Sequence, residues 1–305
     1  MLRSALILLA CLAPLMAFAP AAYAYDRILV LVGNPSNTSD EFIREFKERL
    51  GSRSGRQISV RAIADTSAFQ VDKGTLIVAV GVQALQYAVK QHGNQTVLGA
   101  LIPQPVFEKI QASASNDKLS AIVLDQPPSR QMRLLHRLLP KAKNIGILLG
   151  PTSMRNGELL DKAATDSDLK AVVTPIQQEN DLTPALKSML ELSDALLAVP
   201  DPLVHQPGTA QTLLLTSYRY QKPVIGYSQA YVTAGALAAV YSSPADIARH
   251  AAEIADQFPE RQKALPPFQP PRYFSVGINR QVARALGLDL QDAESLMESL
   301  MKEEQ

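Results

Sequence analysis

Cysteine is almost absent. The 305 residues contain one, Cys11, within the N-terminal stretch MLRSALILLACLAPLMAFAPAAYA. Arg3 gives this stretch a positive start, 6–18 form an apolar run, and Ala22-Tyr23-Ala24 reads as an A-x-A cleavage site. That order is the one of a secretory signal peptide, here residues 1–24. The segment is short and broken by Pro14 and Pro20, which argues against an uncleaved membrane anchor. Leu8-Leu9-Ala10-Cys11 reads only loosely as a lipoprotein box, because the apolar run continues past Cys11. With cleavage after Ala24 the mature chain has no cysteine. Disulfides, thiolate catalysis and Cys-ligated metals are then excluded together.

Net charge is also missing. The whole chain stands at +1, and removing Arg3 with the leader leaves 29 basic against 29 acidic residues. The charges are scattered singly, so neither a nucleic-acid footprint nor a basic membrane-binding patch is present. Beyond the leader no apolar run reaches the roughly 20 residues that span a bilayer. His92, His136, His205 and His250 are dispersed without metal-ligand spacing, so no metal is expected. No G-x-G-x-x-G or G-K-[ST] loop follows a strand, so no nucleotide cofactor is expected.

What is present is a hydrophobic share of 47%, enough for a substantial core, in a chain long enough for about two domains. RILVLVG (27–33) is a continuous apolar run ending in Gly, as in a parallel strand buried on both faces. SDEFIREFKERLG (39–51) follows at helical spacing. Strand-like and helix-like segments alternate through LSAIVLD (119–125), break at DQPPSR (125–130), and alternate again through KPVIGYS (222–228). Two rounds of alternation predict an α/β chain of two Rossmann-like lobes, parallel sheets flanked by helices. The amphipathic helix 243–258, with Ser243 as N-cap, the proline-rich ALPPFQPPR (264–272) and the strand 273–279 then return to sheets already built.

Gly226-Tyr227-Ser228-Gln229-Ala230 is close to a nucleophile elbow. The strand-like GALAAVYS that follows, and the placing of the one downstream His, His250, on a solvated helix face, argue against a serine hydrolase. No catalytic constellation is read, and an enzyme is not expected. In open α/β sheets ligands bind beyond the strand C-termini. Those ends carry Asn34, Ser36, Gly81, Ser153, Asp201, Ser228 and Tyr231, which are taken as the lining of an interlobe cleft. Gly, Ser, Asn and helix-start N–H groups suit a small carboxylate. Asp201 is placed to hold a cation, and Tyr227 or Tyr231 to stack on an apolar group.

Four blocks carry a resemblance: LHRLLPKAKNIGILLGPTSMRN (135–156), SDALLAVPDPLV (193–204), KPVIGYSQAYVTAGALAAVYSSPADIARHAAEIA (222–255) and FSVGINRQVARALGLDL (274–290). In order and spacing they resemble ABC-transporter substrate-binding proteins of the type I periplasmic-binding class, in the subgroup that includes tryptophan and tyrosine binders. The resemblance implies two lobes joined by three crossings, with a small molecule trapped between them and Asp201 facing it. It implies that the helix 243–258 returns to lobe one and the strand 273–279 to lobe two, so that lobe one is 25–126 plus 243–268 and lobe two 127–242 plus 269–305. It implies VIGYSQ as a strand facing the cleft and TAGALAAVYSSP as the return through the hinge. It also implies a periplasmic, monomeric solute-binding protein working with an inner-membrane ABC permease. The alternative is an accessory protein of the same fold acting on a periplasmic sensor or an outer-membrane system.

The leader generates the first prediction. N-terminal sequencing of the exported protein should begin at Tyr25; a mature chain beginning at a lipidated Cys11 would refute it.

Overall fold

The structure, a computed structural model, describes residues 27–51, 56–65, 71–72, 74–114, 118–257 and 265–304. The leader and Cys11 lie outside the described residues. The first half of the chain builds β1 (Arg27–Val32), α1 (Asn37–Gly51), β2 (Gln57–Ala62), β3 (Leu76–Val80), α2 (Val82–Gln91), β4 (Thr96–Ile102), α3 (Gln104–Ser113) and β5 (Leu119–Val123). The strands form a sheet in the order β2-β1-β3-β4-β5, parallel throughout. Residues 28–32 of β1 and all of β3 and β5 are buried, as continuous apolar runs demand, whereas edge strand β2 is only half-buried on alternate residues. β4 bulges at Leu101, whose φ is +58°, and the chain then turns to start α3.

The second round builds α4 (Pro128–Leu138), β6 (Asn144–Leu149), α5 (Gly157–Thr165), β7 (Lys170–Pro175), α6 (Leu182–Leu192), β8 (Ala195–Leu197), α7 (Pro207–Arg219) and β9 (Val224–Gly226). It continues with α8 (Gln229–Ala234) and β10 (Ala238–Tyr241). The last elements are α9 (Pro244–Gln257), β11 (Ser275–Ile278), α10 (Arg280–Ala285) and α11 (Ala293–Glu303). The second sheet runs β11-β10-β9-β8-β6-β7, parallel except for β11, which pairs antiparallel to β10.

Two elements cross back. Ile247, Ala248, Ala251 and Ala255 of α9 share one core with Phe42 and Phe46 of α1, whose rings stack at 5.8 Å. Ser243 and Asp246 cap α9 reciprocally, Ser243 N donating to the carboxylate at 2.9 Å and Asp246 N to the hydroxyl at 3.1 Å. The proline-rich stretch then lies along β5: Gln269 N donates to Ala121 O at 3.0 Å, and Val123 N to Gln269 O at 3.1 Å. α11, which the sequence reading did not single out, inserts Leu296 and Leu300 into the core of the second sheet.

One expectation is corrected. TAGALAAVYSSP does not run back through the hinge as a whole. Its first residues finish α8, Gly235 at φ +126° ends that helix, and 238–241 enter the second sheet as β10. Ala238, Ala239 and Val240 are small because they lie fully buried between β9 and β11.

The α1–α9 seam holds the first sheet's outer layer in place. Phe46 is fully buried in it. Phe46→Ala should destabilise the protein by about 3–5 kcal/mol in urea unfolding; a change below about 1 kcal/mol would show that α9 does not seal this core.

Candidate functional site

Three passages of chain connect the two sheets, and they are bonded to one another. Gln126 Nε2 donates to Ser242 Oγ at 2.9 Å, and Ser242 Oγ donates to the Tyr273 carbonyl at 2.6 Å. Arg130, 3% exposed, gathers the ends: its Nη1 donates to Gln126 Oε1 at 2.6 Å and to Pro271 O at 3.1 Å. Its Nε donates to Glu304 Oε1 at 2.8 Å, and its plane lies 4.0 Å over the Phe274 ring. Glu304 is held below the usual carboxylate range by Arg130 and Arg133, although partial burial opposes this.

Beside these passages lies a cleft of about 380 Å³ lined from both lobes. Lobe one supplies Pro103, Gln104, Leu124 and Asp125; the passages supply Gln126, Pro128, Gln131, Tyr241 and Ser242. Lobe two supplies Asn156, Leu159, Leu160, Val199, Pro200, Tyr227 and Ser228. Leu124 and Leu159 are 39% and 57% exposed, large apolar side chains left open on facing walls. Across the rim, Arg155 of lobe two pairs with Glu108 of α3. Asp125 accepts from Gln104 N at 2.6 Å and so caps α3; burial raises its pKa, against the lowering effects of that bond and of Arg155.

Of the seven residues expected at the site, Ser228 lines this cleft; Ser153 and Asp201 bond to each other, and Asn34, Ser36, Gly81 and Tyr231 are not in its lining. Ser228 lines the cleft and caps α8 by accepting from Tyr231 N at 3.2 Å. Tyr227 lines it, but Tyr231 stands behind, 6% exposed, its hydroxyl 2.7 Å from His205 Nδ1. Burial raises the Tyr231 pKa and lowers that of His205 to about 4. Asn34 and Ser36 are exposed at the start of α1, where Ser39 N donates to Ser36 Oγ at 3.2 Å. Gly81, at φ +88°, starts α2 and gives its N–H to Ala100 O.

Asp201 corrects the expectation of a ligand-facing acid. It is 4% exposed, and its Oδ2 accepts from Thr152 N at 3.1 Å, Ser153 N at 2.8 Å and Ser153 Oγ at 2.8 Å. Its Oδ1 accepts from Leu203 N at 2.9 Å. The carboxylate thus sits at the topological switch point between β6 and β8 and fills an anion cradle of its own lobe. Gly150 is required beside it, since a Cβ there would meet Oδ1 at 2.3 Å.

Two expectations about the 226–230 stretch and His250 are corrected. A helix, α8, does follow Ser228 at once. His250 is not on a solvated face but 2% exposed in lobe one, accepting from Arg272 N at 3.2 Å. What removes the elbow is geometry: Ser228 is extended at φ −155°, ψ 159°, and its hydroxyl serves as a cap. Among the described residues no cluster of metal-binding side chains forms.

The cleft residues that sequence reasoning missed are Gln104, Leu124, Asp125, Gln131, Asn156 and Leu159. The break at DQPPS was the available signal, because it places a strand end and a helix start together.

The family model described as ABC transporter substrate binding protein matches residues 45–299. The chain belongs to that family. Among solved structures, the ABC domain from Streptococcus pneumonia in complex with L-Trp is 20% identical, with a TM-score of 0.57 over 89% of this chain and 98% of that one. The ligand-free, open structure of CD0873, a substrate binding protein with adhesive properties from Clostridium difficile, is 18% identical, with a TM-score of 0.68 over 88% and 97%. A conserved domain protein from Vibrio cholerae is 17% identical, with a TM-score of 0.57 over 89% and 98%. A search of curated proteins finds no significant match. At these identities the structures share the fold, the type I periplasmic-binding architecture. Family and fold are those of substrate-binding proteins, generally non-enzymatic and extracytoplasmic. No described helix is long and apolar enough to cross a membrane.

The Asp201 cradle generates a stability prediction. Asp201→Ala leaves the buried N–H and hydroxyl of Ser153 without this acceptor, and the more accessible N–H groups of Thr152 and Leu203 with water alone. It should cost about 2–3 kcal/mol, read as a lower melting temperature. An unchanged melting temperature with loss of bound small molecule would restore Asp201 to the ligand.

Proposed function

We propose that the protein is the solute-binding component of an ABC-type uptake system, exported to the periplasm by cleavage of residues 1–24 and acting as a monomer that passes its ligand to a permease. The observation that carries the reading is the cleft between the sheets. Its volume of about 380 Å³ falls within the roughly 300–1,000 Å³ of small-molecule sites. Open leucines and Tyr227 on its walls offer apolar burial, and a few polar groups offer orientation. The walls belong to different lobes, so a ligand bridging them favours the closed arrangement by its differential contacts. The lobes of such a protein divide near Gln126, Ser242 and Pro270, where the passages lie. The L-Trp complex of the pneumococcal protein points to an amino acid or an amine of the same size as the ligand class.

Native mass spectrometry of protein purified without denaturation should show a small-molecule adduct that denaturation releases. Leu159→Arg, on the exposed wall, should abolish the adduct while changing stability by no more than about 0.5 kcal/mol. An adduct that survives Leu159→Arg would place binding elsewhere.

A further inference from the structure

The cleft carries a chemical selectivity that its fold does not dictate. None of its lining side chains is a lysine, arginine or histidine. The nearby cations are committed elsewhere, Arg155 to Glu108 and Arg130 to Glu304, Gln126 and Pro271. Backbone donors at the starts of α3 and α4 are committed or missing as well. α3 begins at the cleft with Pro103, and its Gln104 N–H is already taken by Asp125. α4 begins with Pro127 and Pro128, which have no N–H to offer. In lobe two the cradle at the switch point is filled by Asp201. A carboxylate or phosphate entering this cleft would lose its hydration and meet only neutral donors, such as the Asn156 and Gln131 amides and the Ser228 and Tyr227 hydroxyls, with no cation to offset its charge.

A cation meets the opposite situation. Asp125 is the acid of the lining. Its Oδ2 accepts from Gln104 N, and Oδ1 has no donor from another described residue. Gln131 supplies the second observation. It is 6% exposed, lines the cleft, and its side-chain amide makes no hydrogen bond to any described residue. The rest of the side chain is packed away, so the amide opens on the cleft alone, where a ligand donor or acceptor can take the place of water. Leu124, Leu159 and Tyr227 supply the apolar remainder.

Taking the cleft as the binding site proposed above, we propose that its ligand is an amine with an apolar body and no carboxylate or phosphate, its N–H groups directed to Asp125 and a polar edge to Gln131. This separates the chain from a binder of zwitterionic amino acids.

The test is a thermal-shift and calorimetric comparison of matched sets. Tryptamine, L-tryptophan and indole-3-propionate make one set; phenethylamine, L-phenylalanine and 3-phenylpropionate make a second, within a wider library built the same way. Binders should fall in the amine class, and each should exceed its amino-acid and acid counterparts in affinity by about ten-fold or more. Asp125→Asn should lower amine affinity by a similar factor. Gln131→Ala should weaken binding without lowering the melting temperature of the free protein, since the amide has no internal bond to lose. Arg155→Ala should leave the ranking unchanged. Tighter binding of the amino acids or acids overturns the proposal, as does a ranking reversed by Arg155→Ala. A library in which no class binds, with no co-purifying adduct, sinks the binding reading itself and not merely the choice of amine.

Discussion

A single buried guanidinium organises the molecule. Burying a charge costs several kcal/mol unless its partners are in place, and Arg130 meets that condition by using its donors on three separate parts of the chain. It reaches Gln126 on the first passage, Pro271 on the third, and Glu304 at the end of α11. Arginine suits the place because its planar fork bonds along two edges while its face covers Phe274. Lysine would supply the charge without the geometry. The passages are therefore held in register at one end, and the cleft walls diverge from that fixed point.

From that anchor follows an unusual division of labour at the cleft. In open α/β sheets the strand ends and helix starts at the switch point commonly hold the ligand. Here those positions satisfy themselves: Asp201 fills the cradle of lobe two, and Ser36 and Ser39 cap each other at the start of α1. The cleft is lined instead by residues of the connecting chain, Asp125, Gln131 and Tyr241, and by the open leucines. The Arg155–Glu108 pair, across the rim, is a surface pair worth about 1 kcal/mol or less. It suits a contact that must break and re-form.

Much of this is legible in sequence and some is not, for physical reasons. Buried parallel strands announce themselves because both faces are apolar, so β1, β3 and β5 read directly. α9 reads as a helix from its periodicity, and its docking against Phe42 and Phe46 is visible only in three dimensions. α8 is six residues of mixed propensity, including Val232 and Thr233, and its neighbour β10 is alanine-rich; local preference decides neither. Asp201 looks like a free acid because its partners at 152 and 153 lie about fifty residues away and act through backbone N–H groups. Gln131 looks like an ordinary polar helix residue; only its burial on the cleft wall sets it apart.

The crossing of α9 has a consequence for the order in which the molecule forms. The hydrophobic layer over β1 and β4 is closed by residues 247–255, and the exposed edge of β5 is paired by Gln269. Both come after the whole of the second sheet's parallel strands. The second sheet in turn awaits β11 and the leucines of α11. Neither half is a unit that matures from the beginning of the chain, so long-range closure comes last for both, the pattern expected to fold slowly. A chain of this kind stays unfinished while its last third is still being delivered. That property makes the exposed β5 edge the point most open to mispairing during that interval.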